Sequence, residues 1–78
     1  MLLQVITPEK TVLSEEADMV VLPAHEGEMG ILPGHIPFIT LLKKGKLRIT
    51  GGNNIKTLEI DAGYAEITRE KVTVLPIS

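Results

Sequence analysis

Residues 46–60 read Lys-Leu-Arg-Ile-Thr-Gly-Gly-Asn-Asn-Ile-Lys-Thr-Leu-Glu-Ile, and the fold class follows from this stretch. Leu47 and Ile49 alternate with Lys46, Arg48 and Thr50, the period of two that a half-buried strand requires. Gly51-Gly52-Asn53-Asn54 then interrupts the pattern with residue types that tolerate the positive φ of a tight hairpin turn. The chain returns over 55–60 with Leu58 and Ile60 on the core-facing side. The stretch is a β-hairpin.

The same reading extends outward in both directions. Ala62-Gly63 brings small residues to one spot, as main chain packed against main chain needs. Residues 64–68 alternate again, with Ala65 and Ile67 inward and Tyr64 out of phase with them. Arg69-Glu70-Lys71 is a charged turn before a last strand over 72–75. Toward the N-terminus, Lys43-Lys44-Gly45 is a turn. Residues 36–42 form a strand with Pro37 near its start, where a missing amide hydrogen is tolerated. Residues 24–35 hold three glycines and a proline and read as the longest irregular stretch, with at most a short strand over 29–32. Pro23 closes a strand over 18–22 whose successive apolar residues predict burial on both faces. Residues 2–7 and 11–14 are two further strands.

Composition agrees. Valine, isoleucine and threonine supply 22 of 78 residues and alanine only four, a bias toward pleated rather than helical backbone. Eight or nine short strands in one flat sheet would leave an apolar face wet, so two packed sheets are predicted. The fold class is all-β, a small two-sheet β-sandwich forming a single domain over residues 1–78. The chain has no cysteine, which excludes disulfides and cysteine zinc sites. No apolar run approaches the ~20 residues of a membrane span. A net charge of −2 with eight basic residues argues against nucleic acid and against a polybasic membrane anchor.

Catalytic chemistry is hard to assemble. The serines are Ser14 and Ser78, and no spacing brings Ser14 together with a histidine and Asp18 or Asp61. The glycines at 27, 30 and 34 lack the lysine and following helix of a phosphate loop. His25, Glu26, Glu28 and His35 fall within eleven residues and invite a metal reading. A solvated loop accounts for them better, with the His35 ring bonding its own backbone. Phe38 and Tyr64 are the only aromatics, too few for a base-stacking platform. The residues thus predict a non-catalytic domain with no cofactor and no metal, built for binding or assembly.

One stretch is more specific. Gly27-Glu28-Met29-Gly30-Ile31-Leu32-Pro33-Gly34-His35-Ile36-Pro37-Phe38 resembles the signature of the ε subunit family of F-type ATP synthases, called δ in mitochondria. Gly45, Leu47, Ile49, Gly63 and 72–75 continue the likeness, and Val5-Ile6-Thr7-Pro8 fits its start. Ile36 departs from the family's usual alanine.

The resemblance implies a flattened sandwich of about ten short strands, present in a single copy at the foot of the central stalk. It implies a γ subunit partner facing Thr7, His35, Phe38, Ile39 and Leu42. It implies polar c-ring loops, which carry a basic residue in the family, facing Glu28 with help from Glu26. The implied location is the cytoplasmic face of a bacterial membrane, reached only through partners. The family usually continues into two helices, whereas this sequence stops at Pro76-Ile77-Ser78. The resemblance therefore implies no autonomous restraint of ATP hydrolysis and no nucleotide binding. An unrelated β-sandwich ligand-binding module is the alternative, for which only Tyr64 offers an exposed stacking surface.

Overall fold

The computed structural model describes residues 1–77. Ser78, weighed above only as the second serine, lies outside the described residues. Nine strands and no helix form among those residues. They are β1 (Leu2–Ile6), β2 (Thr11–Glu16), β3 (Met19–Ala24), β4 (Gly27–Ile31), β5 (Phe38–Leu42), β6 (Gly45–Gly51), β7 (Asn54–Ile60), β8 (Gly63–Ile67) and β9 (Lys71–Pro76).

The hairpin read first is β6–β7, paired without a slip from Gly45↔Ile60 to Gly51↔Asn54. Gly52 turns it with φ 59°, and Leu47 and Ile49 are buried as their phase requires. The strands connect in one hydrogen-bonded path, β2-β1-β9-β8-β5-β3-β6-β7, with β4 on the free side of β3. β1 runs parallel to β9, and every other pairing is antiparallel.

The path divides into two leaves. β5 and β3 share a single register pair, Ala24↔Leu42. Around it the His25 N–H donates to the Leu41 carbonyl and the Lys43 N–H to the Pro23 carbonyl, each at 2.9 Å. On either side of this seam the leaves fold over one another. Leu3, Val5, Ala65, Ile67, Val72 and Val74 from one leaf meet Val20, Leu22, Ile31, Leu47 and Ile49 from the other in one buried cluster. That is a β-sandwich with a single core, of nine strands rather than about ten.

Two local expectations are corrected. Pro23 does not end its strand: it lies inside β3, paired with Glu28 of β4. The neighbour of β3 changes there from β6, which pairs with 19–21, to β5, which pairs at 24. No partner at this seam calls on the amide hydrogen that proline lacks, and its carbonyl is used by Lys43. The stretch 24–35 is likewise less irregular than its glycines suggest. Ala24 pairs with Gly27 across a tight turn at His25-Glu26, and Gly27 takes φ 135°, a conformation closed to most side chains.

Val21 and Pro23 are buried although they point away from Val20 and Leu22, so β3 is covered on both faces as predicted. Gly63 confirms the close approach predicted for it. A Cβ there would overlap the Leu75 carbonyl and stand 2.7 Å from the Pro76 Cα.

Candidate docking surface

The outer face of the leaf containing β1, β9, β8 and β5 carries an apolar row. Register places Leu41 opposite Tyr64, and Tyr64 opposite Leu75. Val5 pairs with Val74, so Ile6 continues the row on β1. Leu41 and Tyr64 are 64% and 46% exposed, and Ile39 beside them is 66% exposed. Ile6 and Leu75 are half-buried, and with Pro8, Tyr64 and Ile77 they line one groove. The next row along the strands is Ile39, Glu66, Thr73 and Gln4, mostly polar. A solvated sheet face normally alternates into polar residues, so an apolar row across four strands marks a surface meant to be covered.

β5 sets the phase of this surface. Phe38 and Leu42 turn inward, Ile39 and Leu41 outward. Leu42 is 3% exposed and belongs to the core cluster, so its side chain is not available to a partner and that assignment is corrected. Phe38 is half-buried and packs against the core, while its ring meets His35 at 5.2 Å and 53°. His35 Nδ1 lies 3.1 Å from the Ile36 carbonyl, the backbone bond expected of it. The Gly34 N–H donates to the Arg69 carbonyl at 2.9 Å and pins residues 32–37 to the β8–β9 turn. Leu32 and Ile36 are exposed on that loop.

Thr7 sits in the groove at the β1 end of the apolar row. Its N–H and hydroxyl both donate to the Lys10 carbonyl, at 2.9 and 3.1 Å, which closes the β1–β2 turn. Glu26 and Glu28 stand exposed on the β3–β4 hairpin and line a groove with Met29, Ile39 and Leu41. Among the described residues the ion pairs are Lys56–Glu15 and the N-terminus with Glu16, and neither involves Glu26 or Glu28.

The structure thus brings Glu28 and Ile39 together and places Thr7 at the opposite end of the row. His25 and His35 are separated along β5: the backbone N–H of the first bonds the Leu41 carbonyl, and the ring of the second meets Phe38 at a tilt. Among the described residues no three histidine, aspartate or glutamate side chains converge as metal ligands would.

Sequence reading missed Leu41, Leu75 and Ile6. Leu41 was within reach through the phase of β5, but Phe-Ile-Thr-Leu-Leu is apolar in both phases. Ile6 and Leu75 meet only through the parallel β1–β9 pairing, which no local pattern encodes.

The profile of the family described as ATP synthase, Delta/Epsilon chain, beta-sandwich domain matches residues 1–76. The chain is 51% identical over 73 residues to the ATP synthase epsilon chain of Syntrophobacter fumaroxidans, covering 94% of this chain and 54% of that one. It is 50% identical over 74 residues to that of Granulibacter bethesdensis, covering 94% and 55%. The chain therefore spans about half the length of the curated relatives it matches.

Two solved assemblies contain a similar fold. One is the Euglena gracilis mitochondrial ATP synthase OSCP/F1/c-ring, with TM-score 0.87 and 24% identity over 97% of this chain and 49% of that chain. The other is the Tetrahymena thermophila mitochondrial ATP synthase central stalk/c-ring, with TM-score 0.79 and 15% identity over 100% and 63%. At these identities the likeness is one of fold.

Proposed function

From the premise that the chain belongs to the ATP synthase delta/epsilon family through its β-sandwich domain, we propose that it is a non-catalytic rotor part of an F-type ATP synthase. In this reading it sits in the central stalk and couples the γ subunit to the c-ring, so that proton flow drives ATP synthesis. It is present in one copy, and it is held at the cytoplasmic face of a bacterial membrane through its partners alone.

The apolar row Leu41–Tyr64–Leu75–Ile6 carries the proposal, because it is an uncovered hydrophobic surface beside a mostly polar row on the same sheet face. The γ subunit covers this row together with Ile39, and Thr7, His35 and Phe38 border the contact. Burial of such residues against a partner is worth roughly 25 cal/mol per Å² before the losses of association. The exposed, unpaired carboxylates Glu28 and Glu26 face the c-ring, where basic side chains of polar loops complement them.

Calorimetry of the domain with the γ subunit of its source organism tests the reading. One-to-one binding that is lost in Leu41→Asp, with the variant's melting temperature unchanged, is the expected result. A folded wild type that does not bind γ overturns it.

A further inference from the structure

Gly30 is a glycine that the domain itself does not require. Gly27, Gly34 and Gly52 take positive φ. A side chain at Gly45 would press on Pro23 and one at Gly63 would overlap Leu75, while Gly51, beside the β6–β7 turn, has room for no more than ordinary contact with the Glu16 carbonyl. Gly30 has neither reason: its φ is ordinary, and a Cβ built on it meets nothing within 4 Å. Yet it lies inside β4, paired with Val21. Glycine is a poor strand residue, since it offers no side chain to pack and loses the most freedom on ordering. Within a strand it marks a place where another main chain comes close.

The direction of that approach is fixed by the strand. Met29 packs on the core and Ile31 is buried, so Gly30 shares the opposite, outer face with Glu28. Glu28 is exposed there and Glu26 on the adjoining turn, and among the described residues no basic side chain pairs with either.

We infer that an extended polar segment of the partner lies across the outer face of β4, its main chain resting on the Gly30 Cα and its basic side chain reaching Glu28. The inference rests on the reading that this side faces the polar c-ring loops. It adds the role of Gly30, whose missing side chain lets the segment come near enough for the charge pair to form. Gly30 is then a positioning residue for Glu28, and any side chain at 30 holds the cation away.

The test compares Gly30→Ala and Glu28→Gln in binding to the detergent-solubilised γ–c-ring subcomplex of the source organism. Gly30→Ala should melt at the wild-type temperature or about 2–8 °C higher, because it restricts the unfolded chain and meets no atom when folded. It should bind the subcomplex about tenfold more weakly, as overpacking a closed contact does, and should bind isolated γ as the wild type does. Glu28→Gln should weaken the same binding and flatten its salt dependence.

If Glu28→Gln weakens binding and Gly30→Ala does not, the role of Gly30 is wrong while the stalk reading stands. If Gly30→Ala lowers the melting temperature, the glycine serves the fold and the inference falls. If neither change affects a wild-type domain that binds, this face is not the c-ring contact, and reading and inference fail together.

Discussion

Lys56 Nζ of β7 donates to Glu15 Oε2 of β2 at 2.9 Å, so the two strands at opposite ends of the hydrogen-bonded path are neighbours in space. The sandwich is closed here by side chains and not by a ladder. Asp18 adds a second tie, accepting the Gly52 N–H at 2.8 Å.

The Glu15–Lys56 pair should nonetheless contribute little. The Lys56 side chain is 57% exposed and that of Glu15 29%, and ion pairs so placed are worth about 0.2–1 kcal/mol. A double-mutant cycle with Glu15→Gln and Lys56→Met, read by urea denaturation, should give a coupling in that range. The coupling should vanish in about 1 M salt, where the screening length falls to ~3 Å.

Gly63→Ala should be severe. The added methyl has no room beside the Leu75 carbonyl and the Pro76 Cα. Relief would require β8 and β9 to separate, at a cost of about 3 kcal/mol or more. Thermal melting checks this, with Gly30→Ala as the matched control at an open site.

Two β5 positions of opposite phase should separate packing from contact. Leu42→Ala removes a core side chain and should cost about 2–5 kcal/mol. Ile39→Ala should leave stability within about 0.5 kcal/mol while weakening γ binding. Equal stability losses in the two variants would contradict the phase assigned to β5.

Thr7 and Thr68 form a matched pair. Each closes a four-residue turn, its N–H donating to the carbonyl of Lys10 or Lys71 and its hydroxyl to the same oxygen. Valine at either site should cost about 0.5–1.5 kcal/mol, the net worth of an ordinary hydrogen bond. Calorimetry with γ should respond to Thr7→Val and not to Thr68→Val, because only Thr7 borders the apolar row.

The sequence was most legible where one residue type decided one geometry. Gly51-Gly52-Asn53-Asn54 set a hairpin whose alternation then fixed every inward side chain of β6. Tyr64 was legible as outward because it falls out of phase with Ala65 and Ile67, and it is 46% exposed. The stretch 24–35 was misread for the opposite reason. Gly27 and Gly30 dilute the strand signal, and Pro23 looks like a terminator until β3 is seen to change neighbours beside it. Leu42 was set against γ by the resemblance alone, and the alternation of Phe38–Leu42 could not correct it, since both phases carry large apolar residues. Only the pairing with β8 and the single pair with Ala24 decide which phase faces in.

The parallel pairing of β1 with β9 has a consequence for synthesis. Residues 2–5 acquire their second neighbour only from residues 71–74. While the chain is being made, β1 and β2 can form no more than a lone hairpin, which is marginal in water. The sheet must close through a loop of nearly the whole sequence, the slow kind of topology. The apolar row is only half built before that moment: Leu41 and Tyr64 already pair through β5 and β8, but Leu75 and Ile6 join last. A partner that needs all four side chains of the row therefore meets a finished domain.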